Sequence, residues 1–135
     1  NHVGGLTRVG PYAIDQERTI AAWRDGIAAA AKCPNVVVKL GGLGMPRTGF
    51  GYHTREVPIG SEELAKELAP FLHYCIDQFG PGRTMFESNF PVDKVSYSYN
   101  VLWNAFKRLS ADYSPANRAA LFHDTATRVY RLDAA

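Results

Sequence analysis

Apolar residues recur at helical spacing through Ile20, Trp23, Ile27 and Ala30, which predicts a helix over about residues 16–32 capped by Asp15. Pro34 and Asn35 end it. Val36-Val37-Val38-Lys39-Leu40 follows as a nearly continuous apolar run, the pattern of a strand in a parallel sheet covered on both faces. From Gly41 to Gly60 the periodicity disappears, and Gly44, Pro46, Gly49, Gly51 and Pro58 mark a loop long enough to expect a function for it. Ser61 is placed to cap the next helix, with Glu62 and Glu63 in a first turn where the helix dipole favours them. Leu64, Leu68, Phe71, Leu72, Cys75, Ile76 and Phe79 form its apolar stripe, and Pro70 predicts a kink or a split. Beyond the Gly80-Pro81 stop, Thr84–Ser88 reads as a second strand and 96–110 as a helix with Leu102, Phe106 and Leu109 inward. Ser114-Pro115 opens a last helix, which His123-Asp124-Thr125 should break and restart. At the other end, Asn1-His2-Val3-Gly4-Gly5 reads as the end of a strand running into a glycine turn.

This alternation implies parallel strands joined by right-handed crossovers, in either an open doubly wound sheet or part of a (β/α)8 barrel. Composition narrows the function classes more than the fold. With 46% hydrophobic and 21% charged residues, the 135-residue chain is ordinary globular material. A net charge of +2 gives little electrostatic reason to expect nucleic acid. Apolar runs of about five residues fall far short of the ~20 that cross a bilayer. No basic segment followed by an apolar one marks a signal peptide, so a cytoplasmic protein is expected. Cys33 and Cys75 share no metal spacing and read as reduced thiols. Dinucleotide, nucleotide-triphosphate, zincin and serine-hydrolase fingerprints are all missing from the sequence.

Three segments carry more. Asn35–Gly42 contains Val38-Lys39-Leu40-Gly41-Gly42, Phe79–Lys94 contains Arg83-Thr84-Met85-Phe86-Glu87-Ser88-Asn89-Phe90-Pro91, and Ala120–Leu132 forms the tail. Together with His2-Val3-Gly4-Gly5 they resemble the amidohydrolase-related family of TIM-barrel hydrolases, which includes sugar lactonases, dicarboxylate lactonases and related decarboxylases. The resemblance implies an α/β fold comprising the C-terminal part, about three βα units, of a (β/α)8 barrel. A whole barrel needs ~250 residues, so residues 1–135 are expected to form a single partial-barrel domain. The His-x-His motif of metal-binding relatives does not occur in this sequence.

The resemblance also supplies roles. It implies that His2 sits at a strand end and polarises the substrate carbonyl or binds metal. Relatives carry Asp in a Ser-Asp-x-Pro block, as the base or as a metal ligand; here Asn89 stands there, and an amide accepts no proton at neutral pH. Asn89 is left to orient a substrate carbonyl or carboxyl. Asp93 becomes the nearest carboxylate able to activate water, with capping of the following helix as its structural alternative. His2 and Asp93 are thus the catalytic candidates.

Lys39 and Glu87 are expected on neighbouring strands, both facing inward and forming an ion pair beneath the substrate. His53 and Arg55 in the long loop suit a lid over a carboxylated small molecule, or simply a solvated loop. His73 and His123 read as structural. Zinc belongs to the parent family, while this chain is expected to hold no metal of its own. The expected activity is hydrolysis of a lactone or amide-like bond. The alternative is a non-catalytic α/β protein that self-associates into a homo-oligomer because its sheet is incomplete.

Overall fold

The structure, a computed structural model, describes residues 1–132. Helix α1 spans Gln16–Ala31, strand β1 Val38–Leu40, helix α2 Ser61–Phe79, strand β2 Thr84–Phe86 and helix α3 Tyr99–Leu109. Helix α4 covers Pro115–Ala119 and α5 Thr125–Tyr130, joined by a π-helical turn at Ala120–Asp124. The two strands pair in parallel, Lys39 opposite Met85 and Leu40 opposite Phe86. The α/β class and the parallel pairing stand. The expected third strand is not among the described residues: His2–Gly4 is a tight 3-10 turn.

Most local signals act as read. Asp15 caps α1 by accepting from the Arg18 amide at 2.9 Å, and Ser114 caps α4 in the same way; Ser98, not singled out in the sequence, caps α3. The α2 stripe is buried throughout, with Leu64, Cys75 and Leu72 at 0% exposure. Burial pushes the Cys75 thiol up to about 12, which makes it inert, while Cys33 is exposed. On α1 only Ile27 is fully buried; Ile20, Trp23 and Ala30 are half-covered.

Three expectations are corrected. Pro70 does not split α2 into two elements: it lies on the exposed face, as does Lys66, whose carbonyl the proline leaves without its helical donor. The α2 N-cap is Gly60, with Ser61 inside the helix accepting from the Arg108 Nε at 3.2 Å. Residues 120–124 do not break the last helix but widen it by one π turn.

Strand alternation sorts the sheet. Val38, Leu40 and Phe86 face the helices, where Phe86 stacks on Phe106 of α3 at 4.3 Å between ring centroids. Lys39, Met85 and, just past the strand, Glu87 occupy the other face. At the opposite end of the sheet Arg83 ties the ends of α1 and α2 to β2. Its guanidinium donates to the carbonyls of Phe79, Cys33, Val36 and Ala31 at 3.0–3.4 Å. A cation at two helix C-termini satisfies carbonyls that the helices leave open. Replacing Arg83 by methionine should therefore cost about 2–4 kcal/mol, since hydrogen bonds to a charged group count for more than neutral ones. A urea melt of Arg83→Met with an unchanged midpoint would contradict this.

Candidate active site

The site is assembled on a glycine run after β1. Gly41, Gly42 and Gly44 are all buried, and each lies against a different polar side chain. A Cβ on Gly41 would land on the Glu87 backbone carbonyl. One on Gly42 would sit 2.6 Å from His2 Nδ1, and one on Gly44 2.7 Å from the Tyr97 hydroxyl and 2.9 Å from Asp93 Cγ. The missing side chains are what allow His2, Glu87, Asp93 and Tyr97 to crowd onto one stretch of backbone.

His2 is held by an unusual turn. His2, Val3, Gly4 and Gly5 all have positive φ, at 52°, 47°, 74° and 77°. A β-branched valine in that region is strained, so the surroundings must impose it. Three side chains do. Glu87 accepts the His2 amide at 3.0 Å, Trp23 donates to the Val3 carbonyl at 2.7 Å, and Arg47 donates to the Gly5 carbonyl at 2.9 Å.

Glu87 Oε1 also meets His2 Nδ1 at 2.8 Å, and its other oxygen meets Lys39 Nζ at 2.6 Å. The expected Lys39–Glu87 pair is therefore present, enlarged to a triad. Burial alone would raise the Glu87 carboxyl, but the hydrogen bonds from Lys39 and His2 outweigh it and hold it below the ordinary value. Lys39 is raised, chiefly by its bond to Glu87. A carboxylate only accepts, so Nδ1 carries a proton, which in the neutral tautomer leaves the lone pair at Nε2.

Asp93 is fully buried, and both its oxygens are taken. Oδ1 accepts from the Asn89 amide at 2.7 Å; Oδ2 accepts from the Gly44 amide and the Tyr97 hydroxyl, each at 3.1 Å. Burial outweighs these bonds and raises its carboxyl above the ordinary value. Asp93 caps no long helix; it sits in a 3-10 turn at Val92–Val95 and ties that turn to the loop after β1. The carboxylate expected to activate water is therefore buried, with both oxygens already accepting hydrogen bonds. Asn89, at φ 53°, is half-buried beside this anchor.

The loop candidates lie elsewhere. Arg55 pairs with Glu63 at 2.9 Å and Glu67 at 3.5 Å of α2, so its charge is already matched; His53 is exposed beside it. His73 meets the Leu109 carbonyl at 3.1 Å and His123 meets Asp124 on the surface, both structural as expected. Sequence reasoning did not find Trp23, Arg47 or Tyr97 as supports of the site. The spacing of Gly41, Gly42 and Gly44 was the available signal, since close glycines mark backbone that other groups approach. A cleft of about 660 Å³ between residues 4–15 and α1 shares Gly4 and Gly5 with the turn but is lined by none of His2, Lys39, Glu87, Asn89 or Asp93.

A family model described as amidohydrolase matches residues 1–132. The chain belongs to the amidohydrolase family. Among curated relatives, an uncharacterized protein, y4mH, of Sinorhizobium fredii is 36% identical over 119 residues. The L-fucono-1,5-lactonase of Burkholderia multivorans is 31% identical over 121 residues. Each alignment covers 88% of this chain but only 36% and 38% of the relative, so the chain spans under two-fifths of their length. A crystal structure of an amidohydrolase from Burkholderia multivorans with bound zinc superposes with a TM-score of 0.76 at 28% identity, covering 96% of this chain and 42% of that one. The same amidohydrolase with bound HEPES gives 0.75.

Zinc in this family raises the question of fit. Among the described residues no group of three His, Cys, Asp or Glu side chains could share an ion. The Glu87 oxygens are committed to Lys39 and His2, and those of Asp93 to Asn89, Gly44 and Tyr97. These residues do not make a three-ligand zinc site by themselves. No described helix is long and apolar enough to cross a membrane.

Proposed function

We propose that the chain is part of a (β/α)8 hydrolase barrel that opens a lactone or related acyl bond of a small carboxylated substrate. The observation that supports it most is the Lys39–Glu87–His2 triad, a carboxylate that orients an imidazole and is itself held by a cation. In this reading the base is His2 rather than Asp93. Nε2 takes a proton from water as the water oxygen bonds to the carbonyl carbon. The carbonyl–ring-oxygen bond then breaks, and Nε2 returns the proton to the departing alkoxide, leaving a hydroxy acid. A His2 that polarises the carbonyl would have to be protonated, which the Nδ1–Glu87 bond does not require. Lys39 and Arg55 are already neutralised by carboxylates. Arg8 and Arg47, joined by a backbone hydrogen bond of 3.0 Å next to the left-handed turn, have no carboxylate partner among the described residues and are the candidates to bind a substrate carboxylate.

The test is a panel of aldonolactones, aliphatic lactones and carboxylated lactones, followed by acid release. At least one should be opened, and Glu87→Gln should slow that reaction by about 10²–10⁴-fold, the usual worth of an oriented acid–base group. No turnover anywhere in the panel would reject the reading. The competing reading is a non-catalytic homo-oligomer, favoured by exposed apolar side chains such as Ile14 and Val57 at 87% and 79% exposure. An inactive protein that runs as an oligomer by light scattering would favour it.

A further inference from the structure

Asn89 was expected to offer its amide nitrogen to a substrate carbonyl or carboxyl. The structure gives that nitrogen to Asp93 at 2.7 Å, and the assignment follows from chemistry, because an ionised carboxylate has nothing to donate. The orientation is fixed from behind as well. Asp93 is at 0% exposure, its second oxygen is held by Gly44 and Tyr97, and its own backbone amide bonds to the Asn89 carbonyl at 3.1 Å. The Ser96 hydroxyl clamps the Gly44 carbonyl at 2.6 Å, which prevents the loop from sliding away. Asn89 itself is half-buried, with φ 53°, a conformation that asparagine tolerates better than most residues. Its Oδ1 has no hydrogen-bond partner among the described residues.

We infer that Asn89 Oδ1 is a fixed hydrogen-bond acceptor for a substrate hydroxyl, with Asp93 as the positioning residue that keeps the amide from flipping, so that the site selects hydroxylated lactones over unsubstituted ones. This rests on the lactonase reading for its reaction but not for its binding preference. Asp93 thus acts through Asn89 and touches no substrate. A relative with a carboxylate at this position has an acceptor in either rotamer; an amide is an acceptor only when something holds it, and here the buried Asp93 does.

The experiment compares kcat/KM for an aldono-1,5-lactone and for δ-valerolactone, which share the ring and differ in hydroxyls and exocyclic carbon. The variants are Asn89→Gly, which removes the amide without straining the backbone, and Asp93→Asn, which keeps the shape and removes the orienting charge. The wild-type preference for the hydroxylated ring should fall about tenfold in both, through KM rather than kcat, the worth of one lost hydrogen bond. An unchanged preference would overturn the inference, as would equal kcat losses on both lactones, which would place water rather than a hydroxyl on Asn89. Should Asp93→Asn fail to fold, Asn89→Gly decides alone.

If the wild type opens no lactone, calorimetry with the open-chain aldonate separates the two ideas. Aldonate binding that weakens about tenfold in Asn89→Gly upholds the acceptor while the hydrolase reading fails. Absent or unweakened binding overturns both.

Discussion

Gly41→Ala should be the most damaging single methyl group in this protein. Its Cβ would fall on the Glu87 backbone carbonyl, and backbone cannot swing aside as a side-chain tip can. Relief requires β1 and the segment after β2 to part where Glu87 donates its amide to the Leu40 carbonyl at 3.3 Å. Overpacking of a tight site costs about 1–3 kcal/mol, and this contact belongs at the top of that range or beyond it. The site should suffer with the fold, since moving Glu87 moves the acceptor of both His2 bonds. A urea melt checks the first effect and the nitrogen chemical shifts of the His2 ring check the second. An alanine variant with wild-type stability and an unchanged His2 signal would show that the two segments are not in contact.

Lys39→Met should cost about 2–3 kcal/mol, less than the usual 3–5 for breaking a buried pair, because the Lys39 side chain keeps 27% of its exposure and water can partly replace it. Glu87→Leu should cost more than Lys39→Met. It strands three donors, the Lys39 ammonium, the His2 amide and the His2 ring, where the lysine change strands one acceptor. Replacing both Lys39 and Glu87 by apolar residues will not restore neutrality either, as a simple pair would allow, since the two His2 donors remain unmatched. A denaturant melt in which the double variant equals wild type would contradict the triad.

The pH dependence has opposing parts. Glu87 is depressed in the fold, so its contribution is present above the unfolded carboxyl value near 4.3 and is lost as pH falls through its lower folded value. Asp93 is raised, so it opposes folding at neutral pH and its protonation relieves that cost as pH falls through its higher folded value. Acid stability should therefore fall less steeply in wild type than in Asp93→Asn.

Element positions were legible wherever a residue's own chemistry decided the outcome. Asp15 and Ser114 cap through their own oxygens, and the α2 stripe follows from period alone. Strand parity put Glu87 on the face of Asn89, and the family resemblance aimed that face inward, which together anticipated its pairing with Lys39. What failed depended on partners distant in the chain. Residues 1–5 pass for a strand end, since nothing nearby shows that Trp23, Arg47 and Glu87 hold them left-handed. Asp93 resembles an available base until Gly44, 49 residues away, and Tyr97 are seen to enclose it. Arg55 looks like a free cation because Glu63 and Glu67 face it only once α2 is formed.

The left-handed turn at His2–Gly5 has a consequence for when the site comes into being. Its three restraints come from α1, from the loop after β1 and from the end of β2, separated from the turn by 20 to 85 residues. None can form locally, and each left-handed residue other than glycine costs about 1–2 kcal/mol without them. During folding, then, the His2 imidazole stays unaligned until the last of these segments docks. A partly assembled chain with much of its core buried still presents no oriented histidine, so the aligned ring works as a checkpoint on completed tertiary structure.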